Sequence, residues 1–167
     1  VCVLPEWLPD PILQRVATEN NFSETAFFTR ETGFYHLRWF TPVMEVDLCG
    51  HATLAPAFVL FTELGHTGDE IQFETKSGRL TATRRDDIVE LNFPARPPVP
   101  CAVPDELVRG LGRKPAEVLR SPDYFAVFDD EPDVAGLTPD FDLLARLDCI
   151  GIIVTARGRE TDFVSRF

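Results

Sequence analysis

Two short stretches hold the residues best suited to proton chemistry: NNFSETAFF, from Asn20 to Phe28, and LCGHATLA, from Leu48 to Ala55. The first sets one carboxylate, Glu24, between a helix and a strand, inside a polar patch running from Asn20 to Thr25. A carboxyl group drawn between apolar elements favours its neutral form and can exchange a proton near neutral pH. The competing assignment is a surface or helix-end glutamate bonded to nearby backbone. The second stretch puts Cys49, Gly50 and His51 at the start of a very apolar helix. Backbone N–H groups at such a helix start can hold a carboxylate or an enolate oxygen. Gly50 would let a ligand approach that backbone. His51 could donate to the same group, act as a second acid, or be satisfied by a neighbour. Cys49 is a candidate nucleophile or proton carrier, because a helix N-terminus favours the thiolate, or else a small buried hydrophobe. An acid/base beside N–H donors is what proton transfer on a small anionic molecule requires.

The elements that must position these groups follow from the pattern around them. Val1 to Leu4 reads as the tail of a strand. Asp10 and Pro11 make a cap-then-first-turn signal, and Ile12, Leu13, Val16 and Ala17 follow at helical spacing, with an end near Asn20. Ser23 to Thr29 reads as a strand. A turn at Glu31 to Gly33 leads to a second strand, Phe34 to Phe40, with Tyr35, Leu37 and Trp39 on one face. The helix from His51 to Leu64, stopped by Gly65, is apolar on nearly its whole circumference, which predicts burial on every side within a curled sheet. Pro56 within it predicts a kink or a later helix start. Glu45 and Asp47 read as capping and loop residues rather than metal ligands, since no histidine pair accompanies them.

Three alternating strands follow, Glu70 to Glu74, Arg79 to Arg84 and Ile88 to Phe93, as in a curved antiparallel meander. PARPPVP, Pro94 to Pro100, has four prolines in seven residues, cannot continue a sheet, and reads as the linker. The domain assignment is therefore 1–97 and 98–167. Beyond the linker the pattern gives a helix at Asp105 to Leu111, a short element at Pro115 to Leu119, a strand at Tyr124 to Phe128, a helix at Asp142 to Leu147, and strands at Ile150 to Ala156 and Asp162 to Phe167.

Charge and composition exclude several classes. With 27 acidic and 16 basic residues, a net charge of −11, the chain would repel a nucleic acid. Its apolar runs are too short for a transmembrane helix, so no membrane partner is expected. Four widely spaced cysteines without a C-x-x-C pair, and no visible export signal, read as reduced thiols in a cytoplasmic protein. No Walker loop, G-x-S-x-G or G-x-G-x-x-G is present, so no cofactor is implied and no metal site is assigned.

LPEWLPDPILQRVATENNFSETAFF followed by YHLRWFTPVMEVDLCGHATLA resembles the PhzF-like family of phenazine-biosynthesis isomerases, densely from Val1 to about Phe93. GIIVTARGRETDFVSRF is similar to a strand pair of that family's second domain. The resemblance implies an α+β, diaminopimelate-epimerase-like fold: a curved, mostly antiparallel sheet wrapped around a central buried helix, in two similar domains, the second incomplete here. It implies cofactor-independent proton transfer within a small carboxylate-bearing substrate, with Glu24 as general acid/base and His51 beside it. Ser23, Cys49 and Gly50 would then contact the substrate. Two alternatives stay open: an epimerase or racemase using Cys49, and an inactive binding module. The family's Gly-Asn-Pro turn before Val1 and its Asp-Pro-x-Thr-Gly-Ser motif after Phe167 are absent, so the expectation is a fragment with one wall of a cleft. The resemblance also allows a homodimer.

Overall fold

The chain divides into two units, Val1–Pro94 and Ala95–Phe167, in a computed structural model that describes residues 1–167. The first unit holds β1 (Cys2–Leu4), α1 (Asp10–Asn20), β2 (Thr25–Arg30), β3 (Tyr35–Phe40), β4 (Glu45–Val46), α2 (His51–Thr62), β5 (Glu70–Thr75), β6 (Gly78–Arg85) and β7 (Ile88–Asn92). Its seven strands form one sheet in the order β1-β2-β3-β5-β6-β7, with β4 paired to β3. The β1–β2 and β3–β5 pairs are parallel and the others antiparallel.

Both faces of this sheet are covered near its middle, and the side-chain alternation of β2 shows how. Thr25 to Thr29 are all buried. Because successive strand residues point to opposite faces, Ala26 and Phe28 pack with α2 while Phe27 packs with Leu13 and Ala17 of α1. Phe27 meets Phe40 edge-on at 5.6 Å on the α1 side, and Phe28 meets Tyr35 at 5.6 Å on the α2 side. Tyr35, Leu37 and Trp39 share the α2 face, as their spacing predicts.

α1 ends where the sequence signals it. Asn21 adopts φ 50°, the left-handed region that asparagine tolerates, and its N–H reaches Ala17 O. Asp10 does not cap the helix. Pro9 occupies that position, and the Asp10 carboxylate instead accepts from Arg38 at 2.9 Å. The Arg38 guanidinium lies over the rings of Trp7 and Phe40, at 5.2 and 5.1 Å from their centroids, and makes two hydrogen bonds of 2.7 and 3.0 Å to Glu45.

α2 departs from its expected burial. Ala52, Thr53, Pro56, Ala57, Leu60 and Phe61 are buried, but Leu54 and Phe58 are 40% and 56% exposed. The sheet is open, with β1 and β7 as unpaired edges, so it covers one side of the helix and leaves the other bare. Pro56 neither delays nor ends the helix, which runs unbroken from His51 to Thr62. Proline removes the N–H that would bond four residues back, at Ala52 O. The indole N–H of Trp39 donates to that carbonyl at 2.9 Å, so a side chain from β3 replaces the missing helical bond.

The second unit holds β8 (Val99–Pro100), α3 (Asp105–Leu111), β9 (Glu117–Arg120), β10 (Tyr124–Val127), α4 (Glu131–Ala135), α5 (Phe141–Leu144), β11 (Ile152–Arg157) and β12 (Phe163–Arg166). Its five strands run β12-β11-β10-β9-β8, with only β10–β11 parallel. The Pro-rich stretch does contribute a strand, contrary to expectation. Val99 and Pro100 pair with Arg120 and Leu119 at the sheet edge, where a proline's missing N–H is tolerated. The helix expected at Asp142 to Leu147 is the single turn of α5, capped by Asp140 accepting from Leu143 N at 3.1 Å. An open apolar cavity of about 460 Å³ in this unit is lined by Leu111, Leu137, Leu144, Ile152 and Val154 among others. Its lining includes no carboxylate or imidazole, so it offers no acid/base pair.

Candidate active site

Glu24 lies in the bend between α1 and β2, and its position is fixed from both sides. Asn20, the last residue of α1, donates through Nδ2 to Thr25 Oγ1, the first residue of β2, at 3.1 Å. That bond spans the bend. The Glu24 side chain is 18% exposed, and its Oε2 is buried without an aligned hydrogen-bond donor. His51 Nε2 stands 2.8 Å from this oxygen, close enough for an ion pair, yet the ring is turned so that no directed hydrogen bond forms. The distance records proximity, while the open valence on Oε2 describes what the oxygen can still accept.

The other wall is the N-terminus of α2. Cys49 is buried, His51 is largely exposed, and the three functional atoms of Glu24, Cys49 and His51 lie within 4.8 Å of one another. Ser23 Oγ is 3.2 Å from His51 Nε2, and Cys49 Sγ is 3.7 Å from His51 Nδ1. Sequence positions 23–24 and 49–51, separated by three strands, are thus brought together. Gly50 also lies here, but with φ −68° and ψ −62° its backbone is ordinary helix. An added Cβ would stand 3.4 Å from the Phe93 ring, at the edge of ordinary contact, so neither backbone conformation nor space demands a glycine here.

Burial, with a smaller contribution from the Glu24 carboxylate, pushes the Cys49 thiol up to about 11 from 9.0. The helix N-terminus therefore does not make it a thiolate, since desolvation outweighs the Ala52 N–H that lies against the sulfur. Alkylation of Cys49 by iodoacetamide is expected to be slow at pH 8 and to accelerate only as the pH approaches 11. Peptide mapping of the labelled protein checks this, and rapid labelling of Cys49 at pH 8 would contradict it.

Residues that the sequence did not single out hold the segment leading into α2. Lys76 Nζ reaches Glu45 at 2.5 Å and Ser77 Oγ donates to Asp47 O at 2.8 Å, so the β5–β6 turn grips the chain just before Cys49. Thr53 Oγ1 donates to Cys49 O at 2.5 Å inside the helix. Glu45 is thus a brace rather than a capping residue. The Arg38 guanidinium holds its carboxyl below the usual range, with Lys76 adding to the effect. A carboxylate lowered on folding stabilises the folded state above its ordinary value of 4.5, and that contribution disappears as pH falls through the folded value. Glu45→Gln should therefore lower the urea midpoint at pH 7 and narrow its gap from wild type below pH 4. A gap that does not change with pH would argue against this brace.

The chain matches the phenazine biosynthesis-like protein family (PhzC-PhzF) over residues 1–167. It belongs to this family. An uncharacterized isomerase of Pseudomonas aeruginosa is 52% identical over 167 residues, all of this chain and 64% of that protein. Another, from Halalkalibacterium halodurans, is 49% identical over 172 residues, covering 99% of this chain and 64% of the relative. The crystal structure of a PhzF-family protein from Enterococcus faecalis superposes with a TM-score of 0.88 at 47% identity, over 98% of this chain and 64% of that one. A predicted epimerase from Pseudomonas aeruginosa shares the fold at 16% identity, with a TM-score of 0.64 over 91% of this chain and 62% of that one. The chain thus spans just under two thirds of the length of these PhzF-family relatives. The mixed α+β architecture with two open sheets is the PhzF and epimerase-like one.

Proposed function

We propose that this chain carries the acid/base wall of a PhzF-like isomerase, in which Glu24 moves a proton within a small carboxylate-bearing molecule without a coenzyme. The observation that carries the reading is the buried, unaligned Oε2 of Glu24. A buried acceptor left without a donor costs about 1–3 kcal/mol, and such groups persist where a reaction uses them. An oxygen with no fixed donor can take a proton from a carbon acid and return it elsewhere on the same molecule. His51, beside the same oxygen, would hold the reacting oxygen of the substrate or assist as a second acid. Ser23, Cys49 and Gly50 would line the substrate's position, and the first N–H groups of α2 suit its carboxylate. The names of the related proteins, uncharacterized isomerases, support the reaction class.

The geometry favours isomerisation over racemisation by Cys49 against Glu24. Two bases working on opposite faces of one carbon, each within about 3 Å of its proton, stand about 6 Å apart. Cys49 and Glu24 lie within 4.8 Å of each other. That is closer than two opposed bases require, which supports a single proton-carrying group.

The test is incubation of the protein in D₂O with a panel of cyclic and unsaturated small carboxylic acids, followed by NMR and mass spectrometry of the recovered acids. The reading expects a rearranged acid whose migrated hydrogen is partly or wholly retained. A panel member that binds and comes back unrearranged and undeuterated would count for the binding-module alternative. Deuterium at an inverted, unrearranged carbon would count for an epimerase.

A further inference from the structure

We propose that Cys49 is the positioning residue for His51: its thiol donates to Nδ1 and so fixes the ring in the form that carries its proton on Nε2, facing Glu24 and Ser23. The inference rests on the reading of Glu24 as the acid/base and deepens it by giving the thiol a role other than base or nucleophile.

Each ring nitrogen has its own neighbourhood, and both neighbourhoods demand the same tautomer. On one edge, Nε2 stands 2.8 Å from Glu24 Oε2 and 3.2 Å from Ser23 Oγ. A neutral imidazole nitrogen facing a carboxylate and a hydroxyl oxygen is best occupied by its N–H. On the other edge, Nδ1 stands 3.7 Å from Cys49 Sγ. The sulfur is already approached by the Ala52 N–H, so it accepts there, and its own proton is the one left to point outward. A thiolate in this place would accept from the ring and draw the proton to Nδ1, reversing the tautomer. Burial keeps the group a thiol at neutral pH, so it donates and leaves Nδ1 bare.

Glu24 and Cys49 lie beside different nitrogens of the one imidazole. The cluster thus places the thiol beside Nδ1 and the carboxylate near Nε2, on either side of one ring. The thiol has one other acceptor within reach, the Glu24 carboxylate itself. The two destinations make different predictions for the ring.

The test is ¹⁵N–¹H long-range correlation spectroscopy of the imidazole rings at neutral pH, with His51 identified by the signals lost in His51→Gln. The two other histidines are built-in references. His36 Nδ1 accepts from the Trp7 indole N–H at 3.1 Å, and His66 Nε2 donates to Glu70 O at 2.9 Å, so both carry the proton on Nε2. Wild-type His51 is expected to show the same pattern, with a protonated Nε2 and a bare Nδ1. In Cys49→Ala the two ring nitrogens should shift toward each other as the tautomers mix, while His36 and His66 stay in place and report an intact fold. Cys49→Ser keeps a donor and should hold the wild-type pattern. A wild-type His51 protonated on Nδ1 would overturn the proposal. So would a His51 pattern unmoved by Cys49→Ala, which would send the thiol proton to Glu24, or a Cys49→Ser spectrum matching that of Cys49→Ala. These spectra need no substrate. Failure of the proton-transfer reading would thus appear in the D₂O assay and leave the tautomer result standing, and the reverse also holds.

Discussion

Glu24→Gln should lower the rate of proton transfer by roughly 10²–10⁴-fold, the usual contribution of a positioned general acid/base. The loss should fall on kcat, with substrate affinity little changed, because the glutamine keeps the shape of the side chain and the His51 contact. The fold should not suffer. Oε2 has no aligned donor to lose, so the thermal midpoint of the variant should equal or exceed that of wild type. This combination separates a working carboxylate from a structural one. A Glu24 that merely tied the bend to its surroundings would give the opposite result, with lower stability and unaltered turnover on whichever acid the D₂O panel identifies. Glu24→Asp offers a graded comparison: the same chemistry, drawn back by one methylene from His51 Nε2, should retain part of the rate.

The largest structural effect is expected at Trp39. Trp39→Phe removes the indole N–H that donates to Ala52 O in place of the N–H that Pro56 lacks, and it leaves a void in a fully packed position. The orphaned carbonyl and the lost volume together should destabilise the protein by roughly 2–4 kcal/mol. The decisive measurement is a double-mutant cycle with Pro56→Ala. Alanine at 56 restores a backbone N–H four residues after Ala52, so in that background the indole's hydrogen bond is no longer needed. The cost of Trp39→Phe should then shrink by about 1 kcal/mol or more, leaving the packing contribution. Equal costs in the two backgrounds would show that the indole acts by bulk alone. Loosening the first turn of α2 should also loosen Cys49 and His51, so the single variant is expected to lose activity beyond its loss of stability.

Much of this arrangement was legible in the residues. The end of α1 near Asn20 and the strand face of Tyr35, Leu37 and Trp39 follow from local rules of periodicity and turn chemistry, whereas Pro56 left the start of α2 at His51 open. Other features depended on partners far along the chain. Nothing near Pro56 in sequence could foretell that Trp39 would supply its missing bond, seventeen residues upstream on another element. The apolar circumference of α2 predicted burial on every side. It could not report that the sheet stays open and leaves Leu54 and Phe58 uncovered. The strand at Val99 and Pro100 was hidden because proline composition argues against sheets everywhere except at an edge, and only the assembled sheet has edges.

The sequence by itself determined the family, the mixed α+β class and the two short stretches that carry the candidate chemistry, because these rest on motifs and on the periods of helix and strand. Tertiary structure decided how those stretches meet. It turned the acid at position 24 and the histidine at position 51 to within 2.8 Å, left Oε2 without an aligned donor, and set Cys49 behind the ring as a protonated thiol. The physical reason is that spacing along a chain fixes which way a side chain leaves its own element. Distance, solvent exclusion and the direction of a proton depend on groups that only folding brings alongside.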